Sequence, residues 1–144
     1  MLLKPKDTKK KSYSIRTLDE AFSKFIRFRD TIESDGGGRF GACRSCGDLK
    51  SYADLDCGHY IGREHFAVRW DECNAAAQCQ YCNRFQEGNK GLLRETLRDL
   101  YGEDKIRLIE SLKRKGRKPV GFETIEVLKG IREKHSKLIQ SREG

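Results

Sequence analysis

The sequence predicts an α+β chain: a small, turn-rich core pinned by four cysteines, with helices before and after it. Three observations predict this. Cys43-Arg-Ser-Cys46 and Cys79-Gln-Tyr-Cys82 are two C-x-x-C pairs, and each offers two thiolates from one tight turn, as a tetrahedral zinc site needs. Residues 40–62 follow a short, turn-rich pattern that suits knuckles and hairpin strands. The flanking segments carry apolar side chains at helical spacing.

The chain has 144 residues, enough for one domain or one domain with helical appendages. Hydrophobic and charged residues each make up 36%, so the core is small and a metal staple would help it fold. The net charge of +8 favours a polyanionic partner, nucleic acid before an anionic membrane. No stretch is long and apolar enough to span a bilayer. The first residues, Met1 to Asp7, lack the hydrophobic run of a signal peptide. The expected location is cytoplasmic, where thiols stay reduced and C-x-x-C pairs bind metal rather than form disulfides.

Element by element, residues 1–16 read as a basic flexible arm, with Lys4, Lys6, Lys9, Lys10, Lys11 and Arg16 against Asp7. Such an arm adds salt-sensitive, sequence-independent affinity for phosphates. A helix is expected over 17–35. Thr17-Leu-Asp-Glu20 would be its capping box, Leu18, Phe22, Phe25, Ile26 and Ile32 its apolar stripe, and Asp35-Gly-Gly-Gly38 its breaker. The core follows over 36–101. In it, residues 55–61 read as a strand, 66–70 as its partner and 83–88 as a short helix.

Leu92, Leu93, Leu97, Leu100 and Tyr101 then form one helical stripe, and Ile106, Leu108, Ile109 and Leu112 a second. Residues 102–144 make a helical C-terminal region. It includes a basic loop of Lys113, Arg114, Lys115, Arg117 and Lys118, closed by Pro119. The last helix carries Phe122, Ile125, Leu128, Ile131, His135 and Leu138 on one stripe, able to pack on the domain or on a second subunit. His135 is expected to be a packed histidine.

Cys46 and Cys79 are separated by 32 residues, 47–78, longer than the roughly 15–20 of an ordinary zinc ribbon. Four thiolates on one zinc leave no open position, so the zinc would be structural and would hold two distant turns together. Inside the clamp lie Asp56, His59 and Asn74, and Asn83 directly follows the last cysteine. Phosphodiester hydrolysis needs a base for water and stabilisation of the extra phosphate charge. Neutral imidazole supplies the first near pH 7. One hard divalent ion, Mg²⁺ or Mn²⁺, supplies the second, and Asp56 and Asn83 offer oxygen ligands for it. Asn74 could bond the loop or the imidazole. Cys57 and Cys73 read by default as small buried residues. Arg63, Arg69 and Arg84 are candidates to grip DNA phosphates, with His65 assisting.

The order Cys-x-x-Cys, His, Asn-x4-Cys-x-x-Cys-Asn resembles the HNH, or His-Me finger, endonucleases that carry a structural zinc. More closely, several segments resemble the Rap (NinG) recombination endonucleases of lambdoid phages. They are Ala21-Phe-Ser-Lys-Phe-Ile-Arg-Phe-Arg-Asp30, Cys46-Gly47, Cys57-Gly-His-Tyr60, Arg69-Trp-Asp-Glu72, Gln78-Cys-Gln-Tyr-Cys-Asn83 and Gly88-Asn89. The resemblance covers about residues 18–89. It implies a ββα-metal core and divalent-metal-dependent cleavage of branched DNA, Holliday junctions and D-loops among it, during phage recombination in a bacterial host. Carried over by position, it makes His59 the general base, Asn74 the structural asparagine and Asn83 a metal ligand. One departure stands out. Many HNH motifs place a metal ligand immediately before the base, where this chain has Gly58, so Asp56 is the expected substitute. A symmetric homodimer is the natural arrangement for a four-way junction. The alternative is a non-catalytic zinc-ribbon DNA-binding protein, which leaves the long insert and the placing of His59, Asn74 and Asn83 without a use.

Overall fold

The computed structural model describes residues 12–143. The expected arm up to Lys11 lies outside the described residues.

Ser14 opens helix α1 (Ile15–Arg29), its hydroxyl accepting the Thr17 N–H at 3.2 Å. This moves the expected cap at Thr17 back by three residues, because Ser14 already satisfies an orphan N–H of the first turn. Leu18, Phe22, Phe25 and Ile26 form its buried face. The helix ends at Arg29, not near residue 35. The Asp30 N–H still bonds Ile26 O, but the Asp30 carboxylate turns inward to Arg29 and to the Ala77 N–H. Ile32 therefore leaves the helical stripe. It lies in strand β1 (Ile32–Glu33), antiparallel to β2 (Arg39–Ala42), and is exposed. The glycine run turns this hairpin instead of ending the helix, with Gly37 at φ +89°. Strand β3 (Leu49–Ser51) pairs with the other edge of β2.

A second sheet holds two strands, β4 (Leu55–His59) and β5 (Ala75–Cys79), with Leu55 opposite Cys79 and His59 opposite Ala75. The expected strand beginning at residue 55 is present, but its partner is 75–79 rather than 66–70. The reason is packing. All of β5 is buried, with Ala75 among Phe22, Phe25 and Ile26 on one side and Ala76 among Leu93, Leu97 and Ile106 on the other. Methyl side chains let helices approach both faces of a strand that burial, not propensity, selects. Residues 66–70 belong instead to the β4–β5 connection.

A π-helical turn (Tyr81–Phe85) follows, two residues ahead of the expected short helix. Then come α2 (Lys90–Tyr101), α3 (Glu103–Ser111) and α4 (Phe122–Glu143). Of the two predicted stripes, Leu93, Leu97, Ile106 and Ile109 are buried, while Leu92, Leu100 and Leu108 face solvent. Helix α4 lies along α1, with Ile131, Val127 and Leu138 packed into the Phe22–Phe25–Ile26 cluster. Its stripe thus packs on its own domain, although Phe122 is exposed. His135 is packed as expected, its ring 5.2 Å from that of Phe28. Arg142 donates to the carbonyls of Phe28 and Arg29, capping the C-terminal end of α1. Among the described residues no helix is long and apolar enough to cross a membrane.

Candidate functional site

The four C-x-x-C thiols converge. Cys43 follows β2, Cys79 ends β5 and Cys82 sits in the π-helical turn. All four Sγ atoms lie within 4.8 Å of one another, and Cys46 and Cys79 are 3.8 Å apart. A tetrahedron with Zn–S bonds of about 2.3 Å has sulfur–sulfur edges of about 3.8 Å, so the set fits a zinc ion. Backbone N–H groups of Ser45 and Cys82 point at Cys43 and Cys79 Sγ, both at 3.4 Å. Burial pushes the Cys43 thiol up, but backbone hydrogen bonds from Cys46, Cys79 and Ser45 overcome it and bring it to about 7. A backbone hydrogen bond from Asp48 lowers Cys46, yet burial and the neighbouring thiols push it up to about 12. Zinc binding must displace such protons, so zinc affinity rises with pH.

Beside the clamp, a cleft of about 920 Å³ opens between α1 and the β4–β5 hairpin, and Asp56, Cys57, His59, Asn83, Arg84 and Lys90 line it. Strand β4 delivers Asp56 and His59 to it, and the π-helical turn delivers Asn83 and Arg84. His59 Nε2 lies 2.8 Å from the Arg69 carbonyl oxygen. A carbonyl only accepts, so this nitrogen carries the proton and Nδ1 keeps its lone pair. The ring packs against Phe22, centroids 5.7 Å apart. Burial lowers the His59 pKa to about 4 despite the Arg69 bond, so the imidazole is neutral at pH 7.

Asn74 does not touch the imidazole. Fully buried, it accepts the Ile61 N–H at 2.8 Å and donates to the carbonyls of Ile61 (2.9 Å) and Val68 (3.1 Å). It thereby closes the loop over 60–74 whose Arg69 carbonyl orients His59. Lys90 was not foreseen in this role. Its Nζ donates to the backbone carbonyls of His59 and Tyr60, each at 2.8 Å, fixing the end of β4 from the far side.

Asp56 and Asn83 come together: Asn83 Nδ2 donates to Asp56 Oδ2 at 3.0 Å. Arg84 forms a two-point pair with the same carboxylate, at 2.9 and 3.0 Å. A carboxylate and an amide oxygen are hard donors of the kind Mg²⁺ or Mn²⁺ takes, and here both Asp56 oxygens are engaged by Arg84 and Asn83. Among the described residues, the thiol tetrad alone gathers three or more His, Cys, Asp or Glu ligands. The structure also accounts for Gly58. A Cβ there would overlap the Gln78 side chain, which is fully buried and donates to Ser45 Oγ (2.7 Å) and Gly88 O (2.6 Å). The space beside residue 58 is filled by the strut that joins the Cys43–Cys46 knuckle to Gly88, three residues past the π-helical turn.

The three arginines fare differently. Arg63 is largely exposed, 3.9 Å from Asp19. Arg84 is half-exposed against Asp56. Arg69 lines the cleft but is engaged within the protein. Its side chain is only 13% exposed, it holds Asp19 through two bonds of 3.1 and 2.6 Å, and it donates to Arg63 O. Trp70 Nε1 also donates to Asp19, at 2.9 Å. Burial raises Asp19, but Arg69 and Trp70 outweigh it and hold the carboxyl below its usual range. Arg69 therefore ties α1 to the loop over 60–74. His65 is likewise engaged, with Glu64 and the Arg114 backbone. The burial pattern around Asp19 left no trace in the sequence, because its partners lie about fifty residues away.

The buried neutral His59 gives a pH signature. Its folded pKa of about 4 lies below the unfolded value near 6.5. Its contribution is therefore fully present above pH ~6.5 and is lost as pH falls toward 4. After a discount for partial exposure, about 1–2 kcal/mol is expected to separate pH 7 from pH 4.5. Urea midpoints of wild type and His59→Asn, compared at both pH values, check this. Equal pH sensitivity of the two proteins would contradict it.

Known phage proteins are similar to this chain over most of its length. The family model described as Bacteriophage Lambda NinG protein matches residues 3–143. The chain is 36% identical to "Protein ninG" of Escherichia phage lambda over 104 residues, 72% of this chain and 47% of that protein. It is 34% identical to "Protein ninG" of Salmonella phage P22 over 135 residues, 89% of this chain and 62% of that protein. A third relative, "Protein ninG" of Escherichia phage 933W, is 36% identical over 104 residues, again 72% of this chain and 47% of the relative. The chain spans about half the length of the first of these curated relatives. No solved structure matches. With the match running over nearly the whole sequence, the chain belongs to the bacteriophage lambda NinG protein family.

Proposed function

We propose that this chain is a structure-selective endonuclease that hydrolyses phosphodiesters of branched DNA, Holliday junctions and D-loops, in phage recombination inside the bacterial host cell. The observation that carries the reading is the oriented His59. With Nε2 bound to the Arg69 carbonyl, Nδ1 is the nitrogen with a lone pair, on a residue lining an open cleft beside Asp56 and Asn83. The resemblance implies a ββα core, and the hairpin β4–β5 with the π-helical turn after it supports this reading.

In this reading His59 Nδ1 accepts the proton of the attacking water. Asn74 and Lys90 hold the backbone on either side of that imidazole. Asp56 and Asn83 would hold one Mg²⁺ or Mn²⁺, which would supply Lewis-acid stabilisation of the phosphate charge. A zinc in the thiol tetrad would hold the hairpin end and take no part in chemistry. Products with 5′-phosphate and 3′-hydroxyl ends follow from the resemblance. A homodimer would place one cleft on each of two symmetric strands. Its interface would use a surface other than the α4 stripe, which lies against α1.

The test uses a labelled four-way junction and a linear duplex, with Mg²⁺, with Mn²⁺ and without added divalent ion. Metal-dependent nicking of the junction is expected. His59→Ala is expected to lower the rate by about 10²–10⁴-fold, the range for general base catalysis, with binding retained. Binding without cleavage under both ions would favour the zinc-ribbon reading and overturn this one.

A further inference from the structure

The basic loop after α3 has no part in the site described above, yet it is built against it. Lys113, Arg114, Lys115, Arg117 and Lys118 are all exposed, and among the described residues only Arg117 of these is ion-paired, with Glu123 at 2.8 Å. An ordinary solvated charge run needs no fixed backbone. This one has three anchors on the loop over 60–74. The Arg114 N–H donates to His65 Nδ1 at 3.0 Å. The Ala67 N–H donates to Lys115 O at 3.2 Å. Gly116 sits so close to Ala67 that an added Cβ would lie 2.8 Å from the Ala67 nitrogen.

The anchoring also imposes left-handed backbone at Arg114 (φ +67°) as well as Gly116 (φ +75°). A non-glycine residue in that region is uncommon and costs about 1 kcal/mol or more. The anchoring segment is the one that carries Gly62 and Arg63 on the cleft rim. The cleft's Lys90 feels the loop directly: burial lowers its pKa, Glu64 raises it and the like charge of Lys113 lowers it further. Lys113 thus brings the loop's charge within reach of the cleft's Lys90, while Arg117 lines a separate cavity with Phe66 and Ala67.

We propose that residues 113–118 form a phosphate-gripping surface for the duplex arm that flanks the scissile strand. The inference rests on the reading of DNA as substrate, and it adds cations to those of a cleft whose Arg69 is held by Asp19. The charge is complementary to a DNA backbone, and the pinned main chain presents it beside the cleft without ordering a free loop on binding. Duplex is favoured over an acidic protein because a row of lysines and arginines with no apolar anchor among them suits a uniform polyanion.

The experiment measures affinity for a four-way junction and for linear duplex over a salt series, without added divalent ion, so that cleavage does not enter. The double variant Lys113→Ala/Lys115→Ala keeps the two backbone contacts of the loop. It is expected to bind both DNAs about tenfold or more weakly near 0.1 M salt, with the slope of log K against log salt reduced by about 2. The control Lys129→Ala/Lys137→Ala removes the same charge from α4. An unchanged affinity of the loop variant, or an equal loss in the control, overturns the proposal. Wild type that binds but cleaves neither DNA with Mg²⁺ or Mn²⁺ would instead remove the nuclease reading and leave the loop to be judged on affinity alone.

Discussion

Cys79→Ala is expected to lose bound zinc and the packed core together. Cys79 is both the last residue of β5 and a member of the thiol tetrad. The tetrad joins the knuckle after β2, the end of β5 and the π-helical turn, alongside the Gln78 strut and the Arg44 N–H bond to Ala77 O. Structural zinc contributes an apparent ~10–16 kcal/mol in small zinc domains, comparable with or larger than the ~5–15 kcal/mol that separates a folded domain from its unfolded chain. The rest of the core is modest, divided among clusters around Phe22, Ile109 and Leu97. The variant should therefore contain no stoichiometric zinc by elemental analysis and show no cooperative thermal transition. One zinc per chain with an unchanged melt would end the clamp account. Asn83 directly follows Cys82, so the cleft should lose its order at the same time, even though zinc does no chemistry there.

Asp30→Ala is expected to destabilise the fold by about 3–5 kcal/mol, the range for removing one partner of a buried ion pair. The Asp30 side chain is 2% exposed and that of Arg29 13%. Asp30 accepts from Arg29 at 2.9 and 3.0 Å and from the Ala77 N–H at 2.8 Å. Arg29 in turn donates to Glu72 O, Ala75 O and the Tyr101 hydroxyl. Burial lowers the Arg29 pKa, but its bonds to Asp30 raise it above the ordinary value. Removing the carboxylate strands a buried guanidinium and an N–H in the middle of β5. Asp30→Asn keeps an acceptor for Ala77 but loses the charge, so an intermediate loss is expected. Urea unfolding of the zinc-loaded proteins measures both. A change under about 1 kcal/mol in the alanine variant would contradict the role given to this pair.

The helices and the thiol clamp were legible because their signals are local. Leu18, Phe22, Phe25 and Ile26 repeat at helical spacing, and C-x-x-C is a four-residue unit. The strand at 55–59 was legible from the short, turn-rich pattern of residues 40–62. Its partner was not, because Ala75-Ala-Ala has no strand propensity and is chosen by two helices that need small residues between them. Phe66 and Trp70 look like strand residues and instead flank Arg69, whose guanidinium lies 5.2 Å from the Phe66 ring and 5.6 Å from the Trp70 ring. The cap at Ser14 was hidden by a stronger motif three residues on. In the cleft, His59, Asp56 and Asn83 were named from spacing and resemblance, and all three line it. The fixing of His59 by the Arg69 carbonyl and by Lys90 could not be read, since both use main-chain atoms that every residue possesses.

The amide of Gln78 makes two distant positions a single unit of sequence variation. Its side chain fills the space where residue 58 would carry a Cβ, and its two donors hold Ser45 and Gly88. An acid before His59 would require the Gln78 side chain to move or shorten, and that would remove one of the links between the knuckle and Gly88. A side chain at 58 and the strut at 78 thus compete for the same space. This chain has taken the strut, which leaves Asp56, two residues upstream, as the carboxylate that β4 can offer to the cleft.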